Sequence, residues 1–241
     1  MITKIHHIGV VVRSLEAALR FYRDRLGLPL TRLLAVPDQG VRVALLAAGE
    51  SEVELLEPTA TEGGVARFLA RRGEGMHHLC FESDEVGGEL RRLRTRGVRL
   101  IDESPRKGAA GMIAFLHPEA TAGVLIELAT PLEDAESPPS SCHLARVVIG
   151  ADEPRSAAQI YQELFGVQVR TSDRGAIIHT AQGAAVVELC RVGNGITPGL
   201  SRLVLAIEDR SRAEHVRAAV RSSPTERHGV NLALGESPDS P

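Results

Sequence analysis

Two histidines and two glutamates occupy matching places in the first half of this 241-residue chain. His7 lies in the segment HHIGVVV and His78 in the segment HHLCFE. Glu54 follows His7 by 47 positions, Glu127 follows His78 by 49, and each glutamate stands between apolar neighbours. Two imidazoles and two carboxylates suit Co²⁺, Mn²⁺, Fe²⁺, Ni²⁺ or Zn²⁺, with positions left for water or substrate. A lone strand histidine is more often structural, but the matched pairs predict one divalent-metal site.

The four residues are carried by two copies of one β-α-β-β-β unit. Such a repeat matters for the fold because one copy alone cannot bury its apolar face. In the first copy Ser14 is a candidate helix N-cap and Gly27 a stop. Strands of the first copy are predicted at residues 4–12, 30–36, 41–47 and 52–56, with a helix over 15–26. Strands of the second copy are predicted at 75–81, 98–101, 112–116 and 123–129, with a helix over 86–93 and a connecting helix over 65–72.

Two further copies follow a Pro-, Ser- and Glu-rich stretch at residues 131–141. The segment YQELFG at 161–166 matches YRDRLG at 22–27 position for position. Strands of these copies are predicted at 144–150, 184–190, 199–205 and 229–234, with helices over 156–165 and 212–221. The last copy is therefore truncated, because a single strand follows its helix.

The second half carries different residues at the positions equivalent to the four candidate ligands. These residues are Arg146, Glu188, Arg202 and Ala233. A guanidinium stays protonated and offers no lone pair, so this half is predicted to bind no metal. It is either an inert packing partner or a site where Arg146 and Arg202 grip an anion through bidentate hydrogen bonds.

The repeats predict an α+β fold of paired β-α-β-β-β modules. Residues 1–130 are expected to form the metal-binding domain and 131–142 a linker. Residues 143–235 are expected to form a degenerate, truncated domain of the same kind, and 236–241 a disordered tail. Whether the second domain caps the site or takes the place of a dimer partner is left open by the sequence, and a homodimer is one alternative.

Composition and charge narrow the functional classes. A net charge of −3 and an aromatic content of 3%, with no Trp, argue against a nucleic-acid partner. The sequence has no apolar run near the roughly 20 residues of a membrane helix and no signal-peptide pattern. Its three well-separated cysteines predict neither a disulfide framework nor a thiolate zinc site. We expect a cytoplasmic protein that acts on a small molecule.

The first half resembles the vicinal-oxygen-chelate superfamily of glyoxalases, bleomycin-resistance proteins and extradiol dioxygenases. Within that superfamily, residues 4–130 resemble the methylmalonyl-CoA epimerases. The resemblance is carried by the segments HHIGVVV, VPDQGVRVALLAAGE, VELLEPT, RRGEGMHHLCFE, GVRLIDESPR, FLHP and GVLIEL. It implies the vicinal-oxygen-chelate fold, a metal held by His7, Glu54, His78 and Glu127, and a CoA thioester as substrate.

Three positions depart from the epimerase pattern. Ala110 stands where family members commonly have His, and Glu119 replaces a Lys. Val43 occupies the third-strand position at which some epimerases carry a Glu proposed as a base. The four candidate metal ligands therefore match the epimerase pattern, whereas the residues expected near a CoA substrate match it less well.

The resemblance implies an isomerase that abstracts a proton from the carbon next to a carbonyl. Glu127 is the first choice for the base, and Glu54 is the second. A glyoxalase-type lyase or isomerase with a different small substrate is one alternative, and a non-catalytic ligand-binding protein is another. An Fe²⁺ dioxygenase is disfavoured because Glu54 would make a fourth protein ligand.

Overall fold

A computed structural model describes residues 1–131, 138–207, 209–222 and 225–235. The predicted tail and residues 132–137 of the predicted linker lie outside the described residues. The strands are β1 (Ile2–Val11), β2 (Leu30–Val36), β3 (Val41–Ala48), β4 (Ser51–Pro58), β5 (Gly75–Ser83), β6 (Arg106–Gly108), β7 (Gly111–Leu116), β8 (Ile126–Thr130), β9 (Cys142–Ala151), β10 (Gln168–Ser172), β11 (Gly175–His179), β12 (Val186–Arg191), β13 (Gly199–Ile207) and β14 (Leu232–Gly235). The α-helices are α1 (Leu15–Leu19), α2 (Gly64–Arg72), α3 (Val86–Thr95), α4 (Pro154–Phe165) and α5 (Arg210–Ser222). In the described part of the chain, every helix is too short or too polar to cross a bilayer.

The strands form two sheets with the same internal arrangement. Their hydrogen-bonded orders are β2-β3-β4-β1-β5-β8-β7-β6 and β10-β11-β12-β9-β13-β14. In every module the last strand returns to lie parallel beside the first, as β4 does beside β1 and β8 beside β5. The pairs β9–β12 and β13–β14 repeat this parallel arrangement in the second sheet. The predicted α+β fold of paired modules is confirmed.

The chain divides into two compact units, and each draws on both sheets. The first unit comprises Met1–His6, His78–Ala135 and Arg146–Arg202. The second comprises His7–His77, Glu136–Ala145 and Leu203–Pro241. Each unit therefore joins part of the first half of the sequence to part of the second.

An aromatic cluster holds the first unit together. The Phe81 ring of β5 lies 6.5 Å from the ring of Tyr161 and 5.5 Å from that of Phe165, both on α4. Phe81 and Tyr161 are fully buried. The Tyr161 hydroxyl donates a 3.1 Å hydrogen bond to the backbone carbonyl of Thr121, so its polar end is satisfied inside the core.

The helical segment after β1 positions an equivalent tyrosine in the second unit. Ser14 caps α1 as predicted, accepting a hydrogen bond from the Ala17 amide. The helix then widens into a π-helical turn at Arg20–Arg25. Within that turn Tyr22 is buried and donates its hydroxyl to the Arg227 carbonyl at 3.1 Å. This contact ties the first module to the last part of the chain.

Gly27 ends this helical segment in a conformation that other residues rarely adopt. Its φ is +72°, and its carbonyl accepts a 3.2 Å hydrogen bond from Nη2 of Arg212. A Cβ at this position would lie 2.0 Å from that nitrogen. The backbone angle therefore favours glycine, whereas the flexible end of the Arg212 side chain could move to make room for a Cβ.

The predicted strand at residues 98–101 is wrong. Only Leu100 forms an isolated bridge there, to Leu116, and the edge strand is β6. The amides of Ile101 and Asp102 both donate to the Phe115 carbonyl, so the ladder cannot continue in register.

Strands β10 and β11 were not predicted from the sequence. β10 is largely exposed and polar, and so lacks the apolar alternation on which strand prediction relies.

We predict that Tyr161→Ala lowers the free energy of unfolding by about 3–5 kcal/mol because it empties the centre of the aromatic cluster. Tyr161→Phe keeps the ring and removes only the hydroxyl, and should cost about 1 kcal/mol. Urea denaturation followed by circular dichroism measures both. Equal losses for the two variants would mean that the hydrogen bond to Thr121, and not the ring packing, holds this region.

Candidate metal centre

The first histidine–glutamate pair lies across β1 and β4. Glu54 is the register partner of Gly9, which is two residues after His7, so both side chains lie on the same face of the sheet. His7 is 0% exposed and Glu54 is 4% exposed. The His7 Nε2 atom lies 3.5 Å from Oε2 of Glu54.

The second pair repeats this geometry across β5 and β8. Glu127 is the register partner of Cys80, which is two residues after His78. His78 is 1% exposed and Glu127 is 3% exposed. The His78 Nε2 atom lies 2.9 Å from Oε2 of Glu127. The same diagonal offset in both modules explains why the sequence separations nearly match.

All four sequence-predicted ligands meet in the structure. One donor atom from each of His7, Glu54, His78 and Glu127 lies within 4.8 Å of the other three. A second group that meets the same criterion consists of His6, His7 and Cys80. The two groups share His7, so variants of the other members can tell them apart.

The four-residue group fits a divalent cation in its chemistry. Ligand atoms of first-row metals lie about 2.0–2.2 Å from the ion, so two ligands on opposite sides stand roughly 4 Å apart. The donor atoms lie within 4.8 Å of one another, slightly more than that separation, so small side-chain shifts would bring all four onto one ion. Two buried carboxylates also need positive charge nearby, since an uncompensated buried charge is costly. A dication would supply that charge while leaving both imidazoles neutral as ligands.

An apolar wall adjoins the second pair. Cys80, Ala110, Ile113 and Ala129 form a buried cluster, and Phe115 packs against it. Phe115 is the register partner of Glu127. Its ring meets the His78 ring edge to face, with 5.3 Å between centroids. The wall gives one side of the site a dry surface beside a carboxylate.

Sequence reasoning missed the residues that hold this wall in place. Asp102 accepts a 2.9 Å hydrogen bond from the Phe115 amide and a 3.2 Å bond from Nε of Arg106. The Arg106 guanidinium lies 5.5 Å from the centroid of the Phe115 ring. Both Asp102 and Arg106 belong to the segment GVRLIDESPR, which contributes to the family resemblance. The resemblance did not assign a role to either residue.

The three departures from the epimerase pattern lie in different surroundings. Val43 is buried on β3, two residues from Leu45, which is the register partner of Glu54. It therefore lies on the same face as Glu54 but can only supply an apolar surface. Ala110 belongs to the apolar wall. The Glu119 side chain is 68% exposed and forms an ion pair with Arg99.

Comparison with known proteins extends these observations. The sequence model of the glyoxalase/bleomycin resistance protein/dioxygenase superfamily matches residues 6–116. Mitochondrial methylmalonyl-CoA epimerase of Mus musculus is 35% identical over 127 residues, which are 52% of this chain and 71% of the mouse protein. Similarity to curated epimerases thus covers about half of this chain and most of theirs.

Two solved structures resemble different extents of the chain. A methylmalonyl-CoA epimerase in complex with methylmalonyl-CoA and NH₄⁺ is 39% identical, with a TM-score of 0.53, over 57% of this chain and 100% of that one. A variant of 4-hydroxymandelate synthase from Streptomyces coelicolor has a TM-score of 0.67 over 90% of this chain and 75% of that one. At 18% identity, the second likeness shows the fold alone.

Proposed function

Because this chain belongs to the glyoxalase/bleomycin resistance protein/dioxygenase superfamily, we propose that it is a metal-dependent epimerase of the methylmalonyl-CoA type. The observation that carries the proposal is the meeting of two buried imidazoles and two buried carboxylates within 4.8 Å. Epimerases of known structure and sequence match about half of the chain, and the superfamily model spans residues 6–116, which include His7, Glu54 and His78.

The site would hold its ion through His7, Glu54, His78 and Glu127. A divalent ion bound there would supply Lewis-acid stabilisation of the negative charge that develops when the carbon next to a thioester carbonyl loses its proton. The apolar wall beside Glu127 would exclude water from that carbon and accept a small alkyl substituent such as a methyl group.

Epimerisation requires a base on one face of the carbon and an acid on the other. We assign the base to Glu127, whose carboxylate oxygen takes the α-proton. The planar carbanion must then receive a proton on its opposite face, and Glu54 can donate it only if it begins the cycle as the protonated carboxylic acid. The transfer leaves Glu127 protonated and Glu54 ionised, so the two residues exchange roles in the reverse direction. Val43 cannot replace either residue, because its side chain carries no titratable group.

A glyoxalase-type lyase or isomerase is the alternative for the same site. The observation that favours it is the surroundings of Glu119, which replaces the Lys of the epimerase pattern and is already paired with Arg99. A substrate without a CoA tail would need no cationic contact there. A non-catalytic ligand-binding protein would show neither epimerase activity nor glyoxalase-type activity.

We predict that the protein catalyses incorporation of one deuterium from D₂O at the α-carbon of methylmalonyl-CoA. A chelator should abolish the exchange and a divalent ion should restore it, as mass spectrometry of the thioester would show. Glu52→Gln should retain the exchange, because Glu52 is a buried β4 carboxylate that accepts a hydrogen bond from Thr31 and is outside the four-residue group. Metal-loaded protein that isomerises a glutathione hemithioacetal but leaves methylmalonyl-CoA unexchanged would favour the lyase.

We predict that Glu127→Gln lowers kcat by about 10²–10⁴-fold, the usual contribution of a general base, while metal content falls much less. The amide oxygen can still act as a ligand, whereas the amide cannot take the proton. Steady-state kinetics and metal analysis of the same preparation give both values. If activity and metal content fell in parallel, Glu127 would be a ligand and not the base.

A further inference from the structure

The second sheet repeats the ligand geometry of the first with different chemistry. Glu188 on β12 is the register partner of Val148, two residues after Arg146. This is the offset that relates His7 to Glu54. On β13, Arg202 precedes Val204 by two residues, and Val204 is the register partner of Ala233. The equivalences predicted from sequence for these four positions therefore agree with the strand register.

The hydrogen-bonding capacity of the Arg146 guanidinium is only partly used by its neighbour Glu188. Its Nη1 donates a 2.8 Å hydrogen bond to Oε2 of Glu188, and the two side chains are 38% and 26% exposed. Its Nε is buried and, among the described residues, has no hydrogen-bond partner. Most of the donors of this guanidinium are thus not used by the pairing with Glu188.

Arg202 is half-buried, and its side chain has no hydrogen bond or ion pair within the described parts of the chain. β13 is the hydrogen-bonded neighbour of β9, so Arg202 and Arg146 lie on adjacent strands. In agreement, burial and Glu188 raise the pKa of the Cys190 thiol on β12, while Arg146 and Arg202 oppose that rise. Arg146 is paired with the Glu188 carboxylate, whereas the positive charge of Arg202 has no such partner among the described residues.

A third arginine borders this face. Ile177 on β11 is the register partner of Glu188, and Arg170 on β10 is the register partner of Ile177. Arg170 is exposed and lies close enough to His179 to help lower the pKa of that imidazole, after the larger effect of burial. The same side of the sheet therefore becomes more positive toward its edge.

We infer that Arg146 and Arg202 form a binding site for a small anion with carboxylate or phosphate chemistry. The planar forks of arginine match both groups through paired, charge-assisted hydrogen bonds. Glu188 acts as an internal carboxylate that holds Arg146 in place and competes with the ligand for it. This site lies in the second sheet and does not depend on the activity proposed for the first.

Calorimetric titration of the full-length protein with inorganic phosphate, and separately with malonate, at constant ionic strength tests this inference. We expect saturable binding of at least one probe, and the stronger probe identifies the preferred chemistry. Arg202→Met should weaken binding by roughly ten-fold or more, as expected for loss of hydrogen bonds to a charged group. Because Arg202 has no partner in the described structure, this variant should fold normally.

Two further variants separate a binding site from a structural ion pair. Arg174→Met, which removes an exposed arginine from the turn between β10 and β11, should bind like wild type. Glu188→Gln should tighten binding several-fold, because it removes the competing carboxylate. The inference is overturned if neither probe binds, if Arg202→Met binds as tightly as wild type, or if Glu188→Gln binds more weakly.

Discussion

The burial of two carboxylates beside two imidazoles is the constraint on which the first sheet depends. Glu54 and Glu127 are 4% and 3% exposed, and such groups remain ionised only if positive charge is close. The shared register of the two modules places a histidine beside each carboxylate, since each glutamate lies opposite the residue two places after a histidine. A dication would neutralise both carboxylates at once and leave a Lewis acid beside an apolar wall.

The sequence was sufficient for the parts of the site that are encoded locally. The repeat identified His7 with His78 and Glu54 with Glu127, and strand alternation put each pair on one face. Phe115 was missed because its position beside His78 depends on the pairing of β7 with β8.

The errors in the predicted strands have a related cause. Residues 98–101 carry strand-forming side chains, yet the edge strand forms at the polar β6, because the amides of Ile101 and Asp102 share one carbonyl. β10 was missed for the opposite reason, since its exposed residues pair well without any apolar pattern. Backbone hydrogen bonding decides whether a strand forms at residues 98–101 and at β10, and this pairing cannot be predicted from the local amino-acid composition.

The second half shows how one backbone geometry supports different chemistry. Arg146 and Glu188 keep the offset of the first sheet, but a guanidinium in place of an imidazole changes the charge that the face can bind. The same half also has a structural role, because Tyr161 and Phe165 of α4 pack on Phe81. Packing and binding can therefore be altered separately by mutation.

The metal content of the full-length protein after reconstitution with Co²⁺, measured by plasma mass spectrometry, tests the central claim most directly. The decisive comparison is between His78→Ala and His6→Ala, with folding of both checked by circular dichroism. We expect about one ion per chain in wild type and His6→Ala, and almost none in His78→Ala. Full occupancy in His78→Ala, or loss of the ion in His6→Ala, would contradict the four-residue site.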